Sequence, residues 1–335
     1  MKIIPSSRKN RDIAVAIIFL AVIALNVWLV SWLPAPSYDL TIASTAGGSI
    51  ITPGEAAPYT YDEGTVVNLV AEAEDGYRFV NWTGDVSTIT DVNAAATNIT
   101  MYDSYSITAN FELPGVTFPD PDLETAIREA LNKPSEPIYA SDLAELASLQ
   151  ASSIGIENLA GLQYCTNLTY LKLWSNQISD ISPLANLTNL TNLDLHSNRI
   201  SDISPLANLT NLTNLDLYSN QVSDISPLVN LTNLTYLNLN SNQISDISPL
   251  VNLTNLTYLQ LYSNQVSDIS PLANLTNLTD LRLVNNQISD IGPLMEHAGL
   301  SEGHLFVALE GNPLSSDSIN IYIPQLRARG VTVDY

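Results

Sequence analysis

Cysteine is nearly absent: Cys165 stands alone among 335 residues, so no disulfide can form within the chain and the fold has to hold through its core. Cys165 reads as a small buried apolar residue, since it takes the place of Leu187 in the following repeat. Basic residues are scarce as well: 12 Lys and Arg stand against 34 Asp and Glu, a formal net charge of −22. Lys2, Arg8, Lys9 and Arg11 precede the first apolar run, which leaves 8 basic residues from position 37 onward. The field of so acidic a region does not draw phosphate backbones or anionic membrane surfaces, which argues against nucleic-acid binding. Histidine is rarer still, with 3 in all (His196, His297 and His304). No Ser/His/Asp or Cys/His arrangement, Gly-rich phosphate loop or His/Cys metal spacing accompanies them, so the chain reads as non-catalytic, with no cofactor and no metal.

Long apolar runs are missing except for one. Residues 13–33 hold 21 uncharged positions in which only Asn26 and Ser31 are polar. At about 1.5 Å per residue such a run can cross a hydrocarbon core of about 30 Å. The basic residues ahead of it, in the segment 1–12, keep that end cytoplasmic. Two readings stand, an uncleaved transmembrane signal-anchor or a cleaved signal peptide; in either, residues 37–335 lie outside. No sorting motif or hydrophobic tail closes the chain, so any tether is N-terminal.

Residues 37–113 alternate at period two in short runs such as TVVNLVAEA and YSITANFEL, with the turn clusters AGG, TPGE, EDG and TGD between them. That is the pattern of a small β-rich domain. Phe79 and Trp82 read as core of one strand. In residues 114–148, Asp120 or Asp122 is placed to cap a helix beside Pro121, with Leu123, Ile127 and Leu131 on one face. A second, shorter helix begins near Ser141-Asp142-Leu143.

What the chain has in abundance is one sentence of 22 residues, written almost six times between positions 168 and 289. It reads Leu-x-x-Leu-x-Leu-x-x-Asn-x-Ile-x-Asp-Ile-x-Pro-Leu-x-Asn-Leu-Thr-Asn. Asn176, Asn198, Asn220, Asn242, Asn264 and Asn286 fall at steps of 22, and so do Asp180 through Asp290. A fixed period carrying this Leu/Asn pattern marks a leucine-rich-repeat solenoid, an α/β fold with a parallel sheet on one face and short helical turns on the other. Within a rung Leu171 and Leu173 point inward, and Tyr170, Lys172 and Trp174 outward. The asparagines form an interior ladder, and Ser182-Pro183 opens the helical turn. Leu149, Ala151 and Ile156 lie one period before Leu171, Leu173 and Ile178, so the repeats run over residues 149–303, with the last repeat and a cap at 304–335. There Ile319, Ile323 and Leu326 share a helical face, and the next asparagine, Asn312, comes 26 residues after Asn286.

Three motifs in the repeats invite chemistry. The Asp180 column offers carboxylates for Ca²⁺, but each aspartate more simply accepts backbone N–H groups of its own turn. The Asn-Leu-Thr triplets match a glycosylation acceptor, yet the repeat itself dictates their positions. Asp194 and Asp216 pair on adjacent rungs as a glycosidase pair would, on an open sheet that excludes no water.

The GYRFVNWTGD stretch at 76–85, with its flanking strands, resembles the divergent B-repeat modules of internalin-like bacterial surface proteins. The segment FPDPDLETAIREAL…GIENLAGLQYCTNLTYL and the Asp-Ile-x-Pro-Leu phrase resemble the cap and repeats of the internalins, over roughly residues 114–335. The resemblance implies an outward-facing binding or adhesion protein without a cofactor, its β module a spacer.

Inward positions repeat nearly unchanged while outward ones differ from copy to copy. Candidate binding residues are therefore Tyr170, Lys172, Trp174, Asp194, His196, Asp216, Tyr218, Tyr236, Tyr258, Tyr262 and Arg282. Six Tyr and Trp on one face, with a polar middle, make a protein-recognition surface on a monomer. A carbohydrate-binding face in which the same rings stack on sugars is the alternative, and a stiff structural spacer is a third.

Overall fold

The computed structural model describes residues 35–55, 58–296 and 305–335. The apolar run at 13–33, His297, His304 and most of the insertion near 295–302 lie outside the described residues. Among those described, no helix is long and apolar enough to cross a membrane.

The chain divides into two compact units between Pro114 and Gly115. The first holds seven strands: β1 Ser37–Ser44, β2 Gly48–Thr52, β3 Tyr59–Asp62, β4 Val66–Ala73, β5 Arg78–Gly84, β6 Ala96–Thr100 and β7 Tyr105–Glu112. They form two sheets, ordered β3-β1-β7-β5 and β2-β4-β6. The two sheets close over Leu40, Leu69, Trp82, Ile99, Met101 and Ile107. Trp82 is buried, and its indole N–H donates to the Ala94 carbonyl at 3.0 Å, as a core tryptophan must. Phe79 and Trp82, three positions apart, would face opposite sides of a regular strand. A bulge between Phe79 and Asn81 inserts Val80 and brings both rings together, with centroids 5.7 Å apart.

The second unit begins with α1 (Pro121–Leu131), which Asp120 caps by accepting the N–H groups of Asp122 and Leu123. Leu123 and Ile127 are fully buried. The short helix α2 (Ala140–Ala144) opens at Tyr139, whose N–H the Asp142 carboxylate accepts at 2.9 Å. Nine strands follow: β8 Ser148–Gln150, β9 Tyr170–Lys172, β10 Asn192–Asp194, β11 Asn214–Asp216, β12 Tyr236–Asn238, β13 Tyr258–Gln260, β14 Asp280–Arg282, β15 Phe306–Ala308 and β16 Thr332–Asp334. They make one sheet in sequence order, parallel throughout and in a register that sets equivalent residues side by side. Tight 3-10 turns such as Ser182–Leu184 and Ser226–Asn230 close each rung, and Leu171, Leu173, Ile178, Ile181, Leu184 and Leu187 fill it.

Three sets of side-chain bonds tie rung to rung. The Asn198 amide donates to Leu195 of its own turn and Leu173 of the turn before, at 2.9 and 3.0 Å, while its oxygen accepts Ile178 N–H at 3.1 Å. The same pattern recurs along the column from Asn176 and reaches Asn312, which bonds Leu309, Leu283 and Ile288. Asn312, the next asparagine of the sequence at its longer spacing, thus adds a seventh member. Asn189 donates to the Thr166 carbonyl at 2.9 Å, and Thr191 to that of Thr169 at 3.0 Å. Both bonds repeat on the following rungs, for example from Asn233 and Thr235. The Asn-Leu-Thr triplet therefore supplies inter-rung bonds from its amide and its hydroxyl.

Two local expectations change. Ser182 lies inside its 3-10 turn, not at its cap: Ile181 is the cap residue, and the Asp180 carboxylate accepts Ser182 N–H at 2.8 Å. In the final cap the turn Ser318–Tyr322 is a π-helix, which adds one residue before α3 (Ile323–Ala328). The face rotates accordingly: Ile323 and Leu326 stay buried, while Ile319 is 36% exposed and Ser318 turns inward. The Ser318 hydroxyl donates to the Ser289 carbonyl at 2.8 Å, fastening the cap to the last full rung.

Candidate functional site

The parallel register converts sequence columns into surface strips. On the sheet face, Tyr170, Asn192, Asn214, Tyr236, Tyr258 and Asp280 stand in one line, and Lys172, Asp194, Asp216, Asn238, Gln260 and Arg282 in the next. Trp174, His196, Tyr218, Asn240, Tyr262 and Val284 follow the strands in a third.

The side chains within these lines are not independent. Trp174 and His196 stack with planes 3° apart and centroids 5.2 Å apart, and Tyr218 continues the line at 6.2 Å. Across the sheet Tyr236 meets Tyr258 at 6.3 Å, and the Lys172 ammonium rests over the Tyr170 ring at 5.3 Å. Between the aromatic lines lie the carboxylates. Asp194 contacts His196 Nδ1 at 2.7 Å. Asp216 accepts Tyr218 N–H at 2.9 Å and the Asn238 amide at 3.1 Å. Burial, and then the Asp194 charge, push the Asp216 carboxyl above its ordinary range against these two donors. Burial likewise raises the Tyr236 phenol, with the Asp216 charge adding to it.

Toward the far end, Arg282 is committed: it donates twice to Asp280, at 3.0 and 3.1 Å, and lies over the Phe306 ring. Tyr262 N–H donates to Asn240 Oδ1 at 2.7 Å, and the Asn240 amide to Gln260 at 2.9 Å. Here Arg282 and Tyr262 share a hollow with Phe306 and Glu310. Phe306 and Glu310 were not visible as site residues in the sequence, because the slipped period hides the register that sets Phe306 beside Asp280 and Ala308 beside Arg282. Asn238, also missed, is only 7% exposed and spends its amide on Asp216. Tyr218, Tyr258 and Tyr262 are exposed and Tyr170, Trp174 and Tyr236 half-buried.

The hollow lined by Tyr170, Lys172, Asp194, Asp216 and Tyr236 measures ≈ 200 Å³ and is open. The hollow around Tyr262, Arg282, Phe306 and Glu310 measures ≈ 420 Å³ and is open as well. The Asp180 column lies elsewhere, and one oxygen of each carboxylate is engaged in its own turn: Asp180, Asp202, Asp224, Asp246 and Asp268 each accept the N–H two residues on, at 2.8 Å. Cys165 is fully buried, with its thiol pushed up to about 12 by that burial.

Comparison with known proteins follows the same division of the chain. Residues 38–114 match the divergent InlB B-repeat domain, and residues 166–208, 210–252 and 254–294 match leucine-rich repeats. An internalin (inlF) from Listeria monocytogenes is 40% identical with a TM-score of 0.60, over 66% of this chain and 65% of its own, so the chain spans about two-thirds of that structure's length. Internalin C2 (inlC2) of the same organism is 41% identical with a TM-score of 0.58, over 64% of this chain and 94% of its own. A leucine-rich-repeat protein of Leptospira interrogans, at 24% identity and a TM-score of 0.54, shares the fold over 59% of this chain and 51% of its own. No curated protein matches the chain.

Proposed function

The chain belongs to the internalin family, and from that premise we propose that it is a non-catalytic adhesion protein of a bacterial surface, recognising a protein ligand with the concave face of its solenoid. In this reading residues 13–33 tether it to the membrane or direct its secretion, the β module of residues 37–113 acts as a spacer, and residues 114–148 cap the solenoid.

One observation carries the reading. The rungs agree almost residue for residue inside, yet outside they bring Trp174, His196 and Tyr218 into one continuous stack, with Tyr236 and Tyr258 across Asp194 and Asp216. Rigid aromatic rings around a few buried polar groups are what protein–protein contacts concentrate their energy in. Tyr170, Lys172, Tyr262 and Arg282 complete the face. The same rings favour a second reading, stacking on sugar rings. The variant Trp174→Ala/Tyr218→Ala/Tyr236→Ala/Tyr258→Ala separates them: it loses a captured surface protein in the first reading and a glycan-array signal in the second. If neither ligand is held by the unaltered chain, the solenoid is a spacer.

A further inference from the structure

We propose that Asp194, His196 and Asp216 form a binding site for a divalent transition metal of the zinc class, on the concave face between β10 and β11. One ligand atom from each residue lies within 4.8 Å of the other two. At metal–ligand distances of about 2.0–2.1 Å, tetrahedral ligand atoms stand about 3.3 Å apart. No pair therefore has to close by more than about 1.5 Å, and His196 Nδ1 and Asp194 Oδ1, hydrogen-bonded at 2.7 Å, have to open by about 0.6 Å to admit an ion between them.

The surroundings hold these side chains as metal ligands are commonly held. The His196 ring is stacked against Trp174 and flanked by Tyr218. The Asp216 carboxylate is oriented by Tyr218 N–H and by the Asn238 amide, itself largely buried. Such outer bonds fix ligand geometry and tune affinity. Neutral donors leave the charge of Asp216 uncompensated, and Lys172, which lines the same hollow, rests on Tyr170. A divalent ion neutralises both carboxylates at once.

The repeat supplies its own controls. At the positions of Asp194 and His196 the other rungs carry Lys172 and Trp174, Asn238 and Asn240, Gln260 and Tyr262, and Arg282 and Val284. Among the described residues only β10 and β11 bring a histidine and two carboxylates together, in a block whose rungs otherwise nearly coincide. One imidazole nitrogen and two carboxylate oxygens suit zinc and its neighbours; calcium asks for six to eight oxygens. Three protein ligands leave a coordination position for water or for a group on whatever docks there.

The site is tested on the full chain in mild detergent, titrated with ZnCl2 by calorimetry after chelator treatment and with CoCl2 by visible absorption. The expected result is one saturable site, with the Co²⁺ spectrum of an imidazole-ligated ion. Affinity should fall at least tenfold in His196→Ala and in Asp216→Asn, and about tenfold in Asn238→Leu. It should be unchanged in Gln260→Ala and in His297→Ala/His304→Ala. Zn²⁺ should also raise the Tm of the unaltered chain, reversibly with EDTA, a readout that does not depend on any variant folding. Absence of saturable binding with no Tm shift, or affinity retained in both His196→Ala and Asp216→Asn, would overturn the proposal.

Discussion

The Asp120 carboxylate accepts the backbone N–H of Glu157 at 2.7 Å, across 37 positions of sequence. Its other oxygen caps α1, so one side chain fastens the helical cap to the first, degenerate rung, where Asn158 N–H is also accepted at 3.0 Å. Asp120→Ala removes a cap worth about 1 kcal/mol and leaves neighbouring N–H groups unmet at about 1–3 kcal/mol. Urea denaturation of the second unit should show a loss of roughly 2–4 kcal/mol from these two effects together.

The same residue sets a pH dependence. Burial pushes the Asp120 carboxyl up, but the four N–H bonds from Glu157, Leu123, Asn158 and Asp122 outweigh it and hold the group below its ordinary value. A carboxyl with a depressed folded pKa contributes stability that is fully present above its unfolded pKa, about 4, and is lost as pH falls through the folded value. Asp120→Asn should flatten the acid limb of a stability–pH curve below about pH 4 and change its slope little near neutrality.

Removing a central ladder asparagine should cost more than removing the terminal one. Asn220→Ala leaves the N–H of Ile200 unmet in the interior and takes one of two amide donors from each of the carbonyls of Leu217 and Leu195, which Asn242 and Asn198 still serve. One unmet buried N–H at about 1–3 kcal/mol, with two carbonyls each losing one of two bonds, puts the loss at roughly 2–4 kcal/mol. Asn312 makes the same kinds of bond from a less buried place, and Asn312→Ala should cost about half as much. Equal losses in denaturant midpoint would show that the ladder does not act through desolvation.

Each ladder asparagine follows a residue in the left-handed region: Ser175, Ser197, Ser219, Ser241, Ser263 and Asn285, with φ between 53° and 56°, and Gly311 at 73°. That conformation costs a residue with a Cβ about 1–2 kcal/mol, and asparagine tolerates it better than serine. Ser219→Gly and Ser219→Asn should each raise Tm, by the equivalent of about 0.5–1 kcal/mol. A fall in both would mean that the serine hydroxyl does work the backbone argument omits.

Buried and with its thiol raised to about 12, Cys165 should not react with a thiol reagent at pH 8 until the solenoid opens. Stoichiometric labelling of the chain in urea, against slow labelling in buffer, checks this. Fast native labelling would place Cys165 outside the core.

The solenoid was legible from sequence because its determinants are local and periodic: Leu171, Leu173, Asn176 and Asp180 do the same work in every copy. What escaped depends on geometry that periodicity does not carry. Phe306, and the membership of Asn312 in the ladder, were hidden by an insertion that moved them off the period. Ile319 was misplaced because a π turn changes the helical face without a sequence signature. Phe79 and Trp82 were legible as core, but not the bulge that brings their rings together. The outward strips could be drawn from the repeat, but the Trp174–His196 stack and the approach of His196 to Asp194 required coordinates.

The measurement closest to the central claim compares three forms of the full chain for capture of surface proteins: unaltered, Trp174→Ala/Tyr218→Ala/Tyr236→Ala/Tyr258→Ala, and Val229→Ser on the 3-10 side. The account predicts a saturably bound protein that the unaltered chain and Val229→Ser hold equally, and that the concave variant, folded by circular dichroism, has lost. A partner held equally by all three would contradict it.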